Sequence, residues 1–141
     1  MPFSSDANSN LQQPRSLIYF GASGMGSGSS NRLAVLSSAS IGTSAASSFL
    51  APSVVTDLGE GILYWALVTN GGSATNDQIL NGSGGNIVAG KAGSVNVTAA
   101  GIITLGNITG LGATTTYQIL YMQLNATGNL TGQTSASGAT L

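Results

Sequence analysis

Asn107-Ile-Thr-Gly-Leu-Gly-Ala-Thr-Thr-Thr-Tyr117, then Gln118-Ile-Leu-Tyr-Met-Gln-Leu124, then Asn125-Ala-Thr-Gly-Asn-Leu-Thr131 is the stretch that decides the fold. Its middle is rich in β-branched and aromatic residues and has the length of a strand, so residues 115–124 predict one. Glycine and asparagine supply turns on both sides, at Gly110 to Gly112 and at Gly128-Asn129.

Working outward, further strand-like runs lie at 51–57, 61–69, 92–98 and 101–106, with a weaker one at 132–141. Asn70-Gly71-Gly72, Asn81-Gly82 and Gly84-Gly85 punctuate them. Short strands at this spacing, separated by Gly/Asn turns, predict an all-β sandwich. One helical segment interrupts them at Ala74 to Leu80. Thr75 is placed to cap it, with Asp77 and Gln78 in its first turn. Residues 1–14 read as a polar arm, 15–22 as a short apolar run and 23–31 as a Gly/Ser loop. Residues 32–36 suit a strand or a helical turn, and 37–48 are weakly determined.

Leu111 lies six residues before Tyr117, the spacing of a tyrosine corner, in which the phenol reaches back to the backbone while its ring packs inside. On these residues the stretch resembles the E–F corner, strand F and F–G turn of a fibronectin type III domain. Gly61 to Thr69 looks like strand B of that family, with Trp65 as its large core aromatic. The order of this strand, a short helix ending in Gln78-Ile79, a Gly-rich connection and the run from Ala92 to Thr98 resembles a variant found in bacteriophage and prophage structural proteins. The resemblance covers residues 49–141. It implies a fibronectin type III, immunoglobulin-like β-sandwich, preceded by an N-terminal arm and docking segment over 1–48. It also implies a core of Trp65, Leu111, Tyr117, Ile119 and Tyr121. The family often carries an acid where Asn125 stands, and no Arg-Gly-Asp tripeptide is present.

If Tyr117, Ile119 and Tyr121 point inward, alternation sends Leu120, Met122 and Leu124 outward. The 61–69 strand is apolar on both faces in the same way. Each such side chain stabilises by roughly 1.5–3 kcal/mol when buried, and a wet stripe of them is a sticky patch. Two covers are open: the apolar run Leu17, Ile18, Tyr19 and Phe20 of the same chain, or a partner subunit. Leu17 to Phe20 and Leu120, Met122 and Leu124 are therefore the expected partner-binding residues.

Composition excludes much chemistry. The chain has 141 residues, 42% of them hydrophobic and only 5% charged, against roughly 25% charged in an average soluble domain. A net charge of -1 leaves no basic footprint for nucleic acid and no polybasic stretch for an anionic membrane. Without Cys or His there is no thiolate, no Zn–Cys site and no imidazole base. Gly24-Met-Gly26-Ser-Gly28 has no Gly-Lys-Ser/Thr after it and is read as a loop, not a phosphate cradle. Lys91, the only lysine, stands in a Gly-rich connection and reads as solvated. Asp57, Glu60 and Asp77 match no Ca²⁺ loop spacing. Five Asn-x-Ser/Thr triplets follow from the Asn, Ser and Thr content, and no glycosylation is inferred from them.

These readings converge on a non-enzyme without cofactor or metal. Residues 1–10 lack the pattern of a signal peptide, and no apolar run approaches the length of a membrane helix, which predicts assembly in the host cytoplasm. The function expected is that of a bacteriophage virion protein, a capsid decoration or head-fibre-type subunit that docks through residues 1–48. A tail or baseplate fibre adaptor and a carbohydrate-binding adhesion module are the alternatives. The expected partners are capsid or tail subunits, further copies of the chain in a homo-oligomer, and host surface glycans.

Overall fold

The computed structural model describes residues 32–141. The fold is all-β and antiparallel. Its strands are β1 (Leu36–Ser40), β2 (Thr43–Ser44), β3 (Phe49–Leu50), β4 (Ser53–Thr56), β5 (Ile62–Thr69), β6 (Ile87–Asn96), β7 (Gly101–Thr104), β8 (Thr116–Leu124) and β9 (Thr134–Ala139). One sheet has the order β1-β4-β7, a second has β6-β5-β8-β9, and β2 with β3 forms a small hairpin. The single helix among the described residues, α1 (Asn76–Asn81), lies between β5 and β6.

The two larger sheets share one apolar core. Val54 of β4, Leu63 and Leu67 of β5, and Ile119 and Tyr121 of β8 are all fully buried in it, together with Phe49. Phe49 meets the ring of Tyr117 edge-on at 6.1 Å and 86°, a geometry favoured by the ring quadrupoles. The Tyr121 hydroxyl donates to the Ser40 carbonyl at 2.8 Å and so ties β8 to β1. Burial pushes that phenol well above its ordinary pKa.

The tyrosine corner forms as its spacing predicts. The Tyr117 hydroxyl accepts the Gly112 amide at 3.0 Å, at the start of β8 and beside the buried Leu111. Tyr117→Phe removes that acceptor and leaves the ring in place. A net loss of about 1 kcal/mol is expected, seen as a lower urea midpoint with unchanged m-value.

The 57–61 and 125–129 connections are held by specific groups. Gly61 has φ 82, and a Cβ there would run into the Leu124 carbonyl, so only glycine fits. Asn125 anchors the second connection. Its Oδ1 accepts the amides of Thr127 and Asn129 at 3.1 and 2.9 Å, as a carboxylate would. Its Nδ2 also donates to the Arg32 carbonyl at 3.1 Å, which a carboxylate cannot do.

Several expectations change. The folded part reaches upstream of the expected boundary at 49, because β1 pairs with β4 and its neighbour Ile41 is buried in the core. Sequence missed this because Leu36-Ser-Ser-Ala-Ser40 has little apolar content. The 61–69 run is a strand, but it stands third in the chain order of the two larger sheets and occupies the interior of the four-stranded one. Trp65 is half-buried at the edge of the core, against Gly93; the largest fully buried rings are Tyr121 and Phe49. β6 begins at Ile87, five residues before the expected 92, because its register with β5 jumps between Ala66 and Val68 and takes Gly90, at φ 75, into the strand.

Candidate interaction surface

α1 decides which apolar face remains available. Thr75 caps it through a reciprocal pair: its hydroxyl accepts the Gln78 amide at 3.2 Å, while the Thr75 amide donates to the Gln78 side chain at 2.9 Å. Gly82, at φ 73, ends it with its amide on the Gln78 and Ile79 carbonyls. A helix of six residues does not stand alone in water. It holds because Ile79, 1% exposed, packs on the outer face of β5 and β8 with Ala74, Leu80 and Leu130.

That packing corrects the expected partner-binding set. Leu120 and Met122 do point away from the main core, as alternation requires, but they are 4% and 0% exposed. They form a second cluster with Ala66 and Val68 under α1 and its flanking loops. Among the described residues this cover is internal: Ala74, Ile79, Leu80 and Ile87, with Leu130, pack over them. Leu124, at the end of β8, is half-buried. Leu17, Ile18, Tyr19 and Phe20, and the Gly24 to Gly28 loop, lie outside the described residues.

The exposed apolar residues are elsewhere. Val35 and Ile102 are 62% and 69% exposed. Ile102 pairs with Val55, and Val55 with Ser37. Leu36, Val54 and Ile103 pack on the core. Alternation therefore sets Val35, Val55 and Ile102 on the outer face of the β1-β4-β7 sheet. Val54-Val55 and Ile102-Ile103 each place one apolar residue on either face of the sheet.

Charge is scarce around it. From Ala92 to Leu141 no residue is charged. Arg32 and Asp57 pair at 2.9 Å at one end of the sheet. The Val35 amide, donating to Asp57 at 2.7 Å, and then the Arg32 guanidinium hold that carboxyl below its ordinary pKa. Glu60 accepts the Ala126 amide, and Asp77 lies in the first turn of α1. No three acidic residues come together to hold a metal among the described residues.

A shallow hollow of about 260 Å³ lies beside the C-terminal end of α1. Tyr64, Asn81 and Ser94 give it neutral polar groups around a wall of Ile79, Leu80 and Ala92. Its lining holds no carboxylate and no amine.

No family model, curated protein or solved structure matches the chain.

Proposed function

We propose that the chain is a non-catalytic structural subunit of a bacteriophage virion, of capsid-decoration or head-fibre type, that works by surface contact. The observation that carries this is the outer face of the β1-β4-β7 sheet, with Val35, Val55 and Ile102 on a domain whose last 50 residues carry no charge. A lone domain in water gains solubility from interspersed charge. A subunit held in a larger particle needs less of it, and contact with neighbours covers its apolar stripe.

The sandwich of fibronectin type III, immunoglobulin-like kind is part of this reading. Labelled in chain order with β1 as A, β4 as B, β5 as C, β6 as C′, β7 as E, β8 as F and β9 as G, the sheets become A-B-E and C′-C-F-G. This fits the division of strands in that architecture, and Tyr117 takes the place of its corner tyrosine at the start of F. On this labelling the Trp65 strand is C rather than B. The segment upstream of residue 31 is assigned the docking role, with capsid subunits as its partners.

Electron microscopy of virions carrying the chain with a C-terminal label tests the assignment. Label on the head is the expected result. Label on the tail makes it a fibre adaptor, and absence from the particle removes the virion reading. Hydrolysis of host polysaccharide by the purified chain removes the non-catalytic one. The hollow at Tyr64, Asn81 and Ser94 favours a second reading, weak adhesion to neutral host glycans, since an aromatic ring with amide and hydroxyl groups suits a sugar. Chemical-shift changes confined to those residues on titration with neutral oligosaccharides are its signature.

A further inference from the structure

We infer that β7 is a strand-pairing edge and that its occupant is the β7 of a second copy of this chain. The inference rests on the surface-contact reading and names one contact. The sheet edges differ in how they are protected. β1 is broken by a register shift between Ser37 and Ser40 and by Ser38 at φ 49, and it lies alongside β9. β6 carries Lys91, Gly90 at positive φ and the register jump opposite Leu67. Bulges, kinks and an edge lysine are the usual means by which proteins keep an edge from pairing. β7 is short and opens on Gly101 at φ 129, but from Ile102 to Thr104 no bulge, kink or lysine interrupts it. It pairs with β4 at four consecutive positions without a shift, contains no charge and no proline, and displays Ile102, the most exposed large hydrophobic residue described.

The free hydrogen-bonding groups can be assigned. The Leu105 amide donates to the Pro52 carbonyl at 2.7 Å. Alternation along an antiparallel pair then makes Ile103–Val54 and Gly101–Thr56 the hydrogen-bonded pairs. The N–H and C=O of Ile102 and Thr104 consequently face away from β4, toward the open edge. An antiparallel pairing centred on Ile103 sets Ile102 of each copy opposite Thr104 of the other and satisfies all of these groups at once. The two Ile102 side chains become diagonal neighbours on the outer face, within reach of each other. The result is a continuous six-stranded sheet through a twofold axis.

A twofold interface is self-complementary, so every residue near the axis meets its own kind. A charge there repels its copy. The stretch from Ala92 onward, which includes β7 and both its flanks, has none. A charged foreign strand would instead lose hydration with no counter-charge to meet it.

Sedimentation equilibrium and amide exchange on the full chain test this. The expected results are a dimer at high concentration, protection of the Ile102 and Thr104 amides that is lost on dilution, and loss of the dimer in Ile102→Lys with unchanged circular dichroism. Val35→Lys, on the same face but away from the edge, is expected to leave the dimer intact. A wild-type chain that stays monomeric overturns the inference, as does a dimer in which those two amides exchange freely. A dimer lost equally in both variants means packing through the face and also overturns it. None of these outcomes moves the chain within the virion, which the labelling experiment reads separately.

Discussion

Met122→Asp is expected to abolish folding of the isolated chain. Met122 is fully buried beneath Ile79 and its neighbours, although it points away from the main core. Losing its apolar contacts costs about 2–5 kcal/mol. Desolvating a carboxylate with no partner costs several kcal/mol more. The sum is comparable to the whole stability of a domain this size, about 5–15 kcal/mol. Far-UV circular dichroism and amide dispersion should both collapse. Leu124→Asp, at a half-buried position on the same face of β8, should remain folded with a lower midpoint. The contrast tests where the cover comes from. If α1 and its loops close this face, the first variant is lost before any partner is met. A folded Met122→Asp that fails only in particle assembly means that a partner covers the face.

That outcome turns on something the sequence displays only in part. The local signals were legible. Thr75 with Gln78 marks a capped helix, Leu111 with Tyr117 marks the corner, and the Asn/Gly pairs mark the turns; each is a few residues acting on their own backbone. The strands β4, β5, β7 and β8 follow from runs of apolar and β-branched residues, while β9 and the first half of β6 show little of that pattern. What was not legible depends on contacts distant in sequence. A capped two-turn helix gives no sign that it will fold back over β8, so Leu120 and Met122 read as outward and available. The β1 strand is held by pairing with β4 and by the Tyr121 bond to Ser40, neither of which its own composition reveals. Phe49 follows a Ser/Ala-rich stretch, yet it becomes a central ring because Ile108 pairs with its backbone and Tyr117 packs on it in a T-shaped pair. The surface stripe was hidden for a related reason. An Ile-Ile or Val-Val pair does not say which member faces out until the sheet is known.

Gln123 is the other residue whose role only the structure shows, and replacing it should be severe. In the strand pattern it reads as a polar position, yet it is 0% exposed at the inner end of β8. Its Oε1 accepts the Thr56 hydroxyl at 2.6 Å, and its Nε2 donates to the carbonyls of Leu58 and Glu60 at 2.9 and 2.7 Å. One carboxamide thus satisfies two carbonyls of the 57–61 connection. Gln123→Leu keeps the volume and strands those groups. The Thr56 hydroxyl can turn to Leu58, whose carbonyl is already 3.4 Å away, which leaves Glu60 as the main uncompensated acceptor. A loss of about 2–4 kcal/mol is expected, read from denaturant midpoints. Gln123→Glu separates hydrogen bonding from shape. Ionised, it turns a carboxylate toward two carbonyl oxygens; protonated, it can donate to one of them. Its folded pKa must therefore lie above the unfolded value of about 4.3. With a raised pKa the native state holds its proton longer than the unfolded chain, so stability falls as pH rises through 4.3 toward the folded value. The Glu variant should be least stable at neutral pH and should recover toward pH 4, relative to wild type, while Gln123→Leu shows no such trend. If both variants follow wild type across that range, the carboxamide does not hold the connection, and the buried network has to be redrawn.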